Sequence, residues 1–96
     1  MTILYDTILD LNYIEIVPIK ANFADTNMST RLYVVSNSDN LVSFAVFEYQ
    51  LCGEDRTKYY SGLIPMSGAD YSNWNGSNDY PFTYILNTVT GIVPVS

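Results

Sequence analysis

Residues 41–51, LVSFAVFEYQL, alternate in a way that suits an extended strand better than any helix. Ala45, Phe47, Tyr49 and Leu51 fall on one face. Val42, Phe44 and Val46 fall on the other, before Glu48 and Gln50 take over, because successive side chains of a strand point to opposite sides. One face is apolar throughout and the other only over its first half, the pattern of a central strand covered on both sides at that end. CGEDR, at 52–56, then sets a glycine and two acids before TKYYSGLI, a second β-type run. That order is a hairpin connection. A chain with this hairpin at its centre is built on an antiparallel sheet.

The flanking segments extend the sheet. NYIEIVPI at 12–19 is rich in β-branched residues and sets Ile14 and Ile16 against Tyr13, Glu15 and Val17. Pro18 brings no ladder donor, so this strand ends there or lies at an edge. KANFADTNMST is polar and irregular and reads as a loop or extended arm. RLYVVSN, from Arg31, is a further strand, and SNSDN at 36–40 carries the side chains that satisfy turn backbone locally. Gly62 marks a bulge or a close approach by another element. PMSG, at 65–68, ends the sheet.

Helical signals follow in SGADYSNWNGSNDYPFTYILNTVTGI, residues 67–92. Asp70 caps a short turn through Tyr71 to Trp74, and Asn-Gly breaks it. Ser77 or Asn78 caps a helix whose first turn accommodates Pro81, with Asp79 favouring its positive end. Tyr80, Tyr84 and Thr88 form one strip, and Phe82, Ile85, Leu86 and Val89 the neighbouring one. Gly91 and Ile92 read as a Schellman ending, and Pro94 closes it. The fold expected is α+β: a small antiparallel β-sheet or sandwich of four to five strands with one short C-terminal helix packed across it. A single domain spans 1–96, with 1–11 an N-terminal arm or edge strand, 12–64 the sheet, and 67–92 the turn plus helix.

Charge and residue types exclude more than they assign. Lys20, Arg31, Arg56 and Lys58 face ten acidic residues, a net charge of −6, so the positive footprint of a nucleic-acid binder is missing. The same deficit argues against attachment to anionic lipid. No apolar run approaches the roughly 20 residues that span a bilayer, and a soluble protein is expected. MTILYDTILDL carries Asp6 and Asp10 within its apolar stretch and does not read as a signal peptide. With one cysteine, Cys52, no intramolecular disulfide can form, and a reducing cytoplasm fits.

The chain has no histidine, which removes His-assisted metal sites and nucleophiles. Glu54 and Asp55 are adjacent in the hairpin and point apart, as solvated turn residues do. Asp70, Ser72, Asn73, Asn75 and Asp79 are hard oxygen donors of the kind calcium accepts, but no EF-hand spacing or bidentate Glu accompanies them. No phosphate-binding or nucleophile motif is present. No catalytic residue, metal site or cofactor is therefore assigned. What remains is aromatic: Tyr59, Tyr60, Tyr71, Trp74 and Tyr80 are candidates for an interface or binding surface. Tyr59 and Tyr60 lie on opposite strand faces, so both are core only if a second surface, most naturally another subunit, covers the far side.

FEYQLCGEDRTKYYSGLIPMSGADYSNWNGSNDYPFTYILNTVTGI resembles small proteins of tailed bacteriophages, in which a hairpin ending in Ser-Gly leads to an acidic-Tyr-x-x-Trp turn and a short helix. The matching residues are Gly62, Gly68, Asp70, Tyr71, Trp74, Asp79, Tyr80 and Gly91; residues 1–40 contribute nothing. The resemblance implies a virion component, such as a capsid decoration, neck or tail protein, assembled in the host cytoplasm. Its partners would be protein subunits, its own copies or other virion proteins, and it transfers no catalytic residue. Two functions are thus carried forward: a non-enzymatic structural subunit of a multi-copy assembly, and a free-standing module recognising a carbohydrate or protein surface through its aromatic residues.

Overall fold

The strongest β-alternation lies inside a five-stranded antiparallel sheet in which each strand pairs with the next. The computed structural model describes residues 2–20, 28–39, 43–77 and 79–95. The strands are β1 (Leu4–Asp6), β2 (Leu11–Ile19), β3 (Ser29–Asp39), β4 (Phe44–Cys52) and β5 (Lys58–Ser67), followed by α1 (Gly68–Trp74) and α2 (Tyr80–Thr88). The fold is broadly α+β and dominated by the sheet.

Register carries one apolar face across four strands: Ile14 opposes Leu32, Leu32 opposes Leu51, and Leu51 opposes Tyr60. Both helices lie on this face. Phe82, Ile85 and Ile92 complete a core with Ile14, Ile16, Leu32 and Leu51, all under a tenth exposed. A smaller cluster of Ala45, Phe47 and Met66 sits beneath Tyr71, Trp74, Tyr80 and Tyr84. The helices are therefore the only second layer among the described residues, and the sheet is single rather than a sandwich.

Several expected boundaries move. β3 runs on to Asp39 through an irregularity between Ser36 and Ser38, so SNSDN is mostly strand. β5 continues through Pro65 and Met66, which oppose Val46 and Ala45. Pro18 lies within β2, where pairing with β3 shifts between Glu15 and Ile19. On the other side of β2, β1 reaches only to the Leu4–Tyr13 pair. The C-terminal tail takes its place beyond: Val17 N donates to Val93 O at 2.8 Å and Val95 N to Glu15 O at 3.1 Å. Of the loop expected at 20–30, residues 21–27 lie outside the described residues, and Ser29 and Thr30 already belong to β3.

Gly62 marks a close approach and no bulge. A Cβ there would come within 2.6 Å of the Tyr49 ring, which crosses it from the paired position on β4. The expected Asp70-capped turn is a helix of seven residues with Ser67 at its N-cap and Asp70 inside its first turn. Asn75 and Gly76, both at positive φ, end it. α2 starts from Asp79, and Ser77 Oγ accepts from Tyr80 N at 3.3 Å; Asn78 lies outside the described residues. Its end is not a Schellman motif. Val89 is extended, with its N–H on Ile85 O, and Gly91 takes φ +94° beyond the helix, while Ile92 is still buried.

Candidate functional site

Three of the five aromatic candidates converge where α1 meets the sheet. Trp74 stands edge-on to Phe47 at 5.0 Å between ring centroids and to Tyr71 at 5.8 Å. This is the geometry that ring quadrupoles favour. Every polar tip of the trio has a partner inside the chain. Tyr71 OH donates to Asp39 Oδ1 at 2.7 Å, Trp74 Nε1 to Ser77 O at 2.8 Å, and Tyr80 OH to Asp70 Oδ1 at 3.1 Å. The bond to Asp39, then burial, raises the Tyr71 phenol above its ordinary value; burial, then Asp70, raises that of Tyr80. Both therefore stay protonated donors near neutrality, without the character of a base or nucleophile.

Tyr59 and Tyr60 lie elsewhere, toward the opposite end of β5: Tyr60 is about 14 Å of strand from Ile64, the partner of the Phe47 on which Trp74 packs. The Tyr59 ring lies over Gly53 in the hairpin. Tyr60 is 46 % exposed and neighbours Tyr49, with ring centroids 6.1 Å apart. The five candidates thus form two groups, and no single aromatic platform joins them. Beside Trp74 is a cleft of about 140 Å³ between the sheet (Asn12, Ser36, Phe47) and the α1–α2 connection (Gly76, Ser77). It falls short of the several hundred Å³ usual for small-molecule sites.

The most organised polar constellation is one the sequence pattern does not announce. Asp6, at the end of β1, is buried and surrounded by donors. Its Oδ1 accepts from Ile8 N at 2.9 Å and Leu9 N at 3.2 Å, closing the turn into β2; its Oδ2 accepts from Tyr33 OH at 2.7 Å and Arg56 Nε at 2.7 Å. Arg31 Nη1 lies 3.7 Å from the same oxygen, and its guanidinium is over the Tyr13 ring. Burial alone would raise the Asp6 pKa, but the bonds from Tyr33, Arg56, Leu9 and Ile8 outweigh it and hold the carboxyl well below its usual range. A carboxylate so fully satisfied fastens elements and has no lone pair directed at a substrate. Two of the four basic residues are committed to it.

No protein-family model, curated protein or solved structure matches the chain. Function is therefore argued from geometry. Burial pushes the Cys52 thiol up to about 11, so it is a protonated core residue near neutrality. Among the described residues, no three Cys, Asp or Glu side chains converge as metal ligands, and no helix is long and apolar enough to cross a membrane.

Against this, among the described residues the sheet face turned away from the helices is covered at one end only. There Tyr33 is fully buried beneath Tyr13, Asp6 and Arg31. Toward β5 the cover stops: Leu63 is 62 % exposed, Pro65 is exposed, and Val46 is half-buried. Phe44, expected to be covered at this end of β4, is 40 % exposed. The described chain supplies no second layer for this face.

Proposed function

We propose that this protein is a non-enzymatic structural subunit that works as one of many copies in a larger assembly, of the kind found in a tailed-phage particle as a capsid decoration, neck or tail component. The observation that carries this reading is the sheet face on which Leu63, Pro65 and Val46 group around Glu48, with no cover among the described residues. Exposed apolar side chains grouped on one face and rimmed by polar residues mark a contact with another protein. A second support is the use of every aromatic polar tip at the helix–sheet junction within the fold, which leaves that cluster a lid on the core. The phage resemblance is compatible: its Gly62, Gly68 and Gly91 all stand at positions where backbone geometry or a neighbouring ring requires glycine.

The test is the solution mass of the chain across a concentration series, with limited proteolysis of the first ~10 residues as companion, since terminal segments fray unless docked. The reading expects a mass that rises to a defined oligomer. A compact monomer at every concentration contradicts it.

A further inference from the structure

The two edges of the sheet are built differently. At the first, β1 is only three residues long, and residues 93–95 pair with β2 beyond it. Short edge strands and covering segments are how open sheets prevent unwanted pairing. At the other edge stands β5, ten residues long and bonded on its β4 side alone. No other backbone hydrogen bond reaches it among the described residues.

Pro65 fixes which backbone groups point outward. It has no N–H, so facing away from β4 it removes nothing from the ladder, and its carbonyl accepts from Tyr84 OH at 3.0 Å. In an antiparallel strand, N–H and C=O of one residue point the same way and alternate along the chain. Leu63 and Ser61, in step with Pro65, therefore also direct theirs outward. The open stretch lies between Tyr60 and Ile64, about 17 Å of strand, with Tyr84 occupying the carbonyl next to it.

This stretch is centred on Gly62 and uncharged. We infer that the outer edge of β5 pairs antiparallel with the same edge of a second copy, the two-fold axis passing at Gly62, so that two sheets become one of ten strands. This rests on the multi-copy reading and names one contact by which the copies join. In that register Ser61 opposes Leu63 of the second copy and exchanges both main-chain hydrogen bonds with it, and Tyr60 opposes Ile64. Such an isologous contact closes on itself.

Charge leaves the β5 edge as the place where two copies meet the least repulsion. At net charge −6, two copies repel over most of their surfaces, yet β5 has no acidic residue. Its one charge, Lys58, lies at its start, so antiparallel pairing sets the two lysines at opposite ends. In that register each lysine opposes Met66 of the second copy, clear of the other lysine.

The experiment measures self-association of the wild type, Ser61→Pro and Leu63→Lys by sedimentation, with far-UV circular dichroism to establish folding. Ser61→Pro removes an outward N–H; Leu63→Lys keeps the backbone and adds charge beside the axis. The expected result is a wild-type dimer, with the dissociation constant raised at least tenfold in both variants while the fold persists. If Ser61→Pro unfolds, Leu63→Lys decides alone. Wild-type association unchanged in Leu63→Lys overturns the edge pairing and leaves the multi-copy reading standing. A wild-type chain monomeric at every concentration overturns both.

Discussion

Asp6 shows what one buried carboxylate does in a small sheet. It ties the β1–β2 turn to Tyr33 on β3 and to Arg56 in the β4–β5 hairpin. Removing one member of such a cluster leaves its partners buried and uncompensated. Asp6→Asn is expected to lower the folded-to-unfolded ratio at pH 7 by at least about tenfold, read by urea unfolding. The sign with pH follows from its depressed folded pKa: the stabilisation is complete above the unfolded-state value of about 4 and is lost as pH falls through the folded value. The wild type should therefore lose stability from about pH 5 downward, and Asp6→Asn should lack that part of the slope. Gly62→Ala is expected to cost about 1–3 kcal/mol, because the methyl meets the buried Tyr49 ring. Cys52 is expected to resist a thiol reagent in the native state and to react fully in denaturant. Rapid native labelling would contradict its burial.

At the scale of elements, α2 is held by what it buries. Ile85→Ala, at a fully buried position, is expected to destabilise by about 2–5 kcal/mol, and Tyr84→Phe, which removes one exposed bond to Pro65 O, by about 1 kcal/mol or less. Equal losses in the two would contradict the packing described. The same contrast explains what was legible in the sequence. The alternation of Ala45, Phe47, Tyr49 and Leu51, and the apolar stripe of Phe82 and Ile85, are local periodicities and can be read directly. Boundaries set by partners cannot. Pro65 and Met66 extend β5 because Val46 and Ala45 lie opposite, and Pro18 stays in β2 because the tail supplies a neighbour. The Asp6 cluster escaped for the same reason: Tyr33 and Arg56 are 27 and 50 residues away. Its one trace was a charge inside an apolar run.

The whole molecule is a half-covered sheet. Helices close one face, the Asp6 cluster closes a corner of the other, and among the described residues nothing covers the rest of that face or the β5 edge beside it. The aromatic candidates divide accordingly. Tyr71, Trp74 and Tyr80 complete the helical layer, while Tyr60 stands at the open edge. Trp74, half-buried and edge-on to Phe47, is not arranged as a sugar-stacking plate, so its fluorescence is expected to stay unchanged on titration with mono- and oligosaccharides. A saturable shift would revive the binding-module reading.

The most direct test of the central claim, that copies of this chain join through the open edge of β5, is amide hydrogen exchange compared between dilute and concentrated protein. The account predicts that Ser61 and Leu63, whose N–H groups point outward, become protected as concentration rises, while the amides paired with β4 are protected throughout. Exchange at Ser61 and Leu63 that stays fast at every concentration would contradict it.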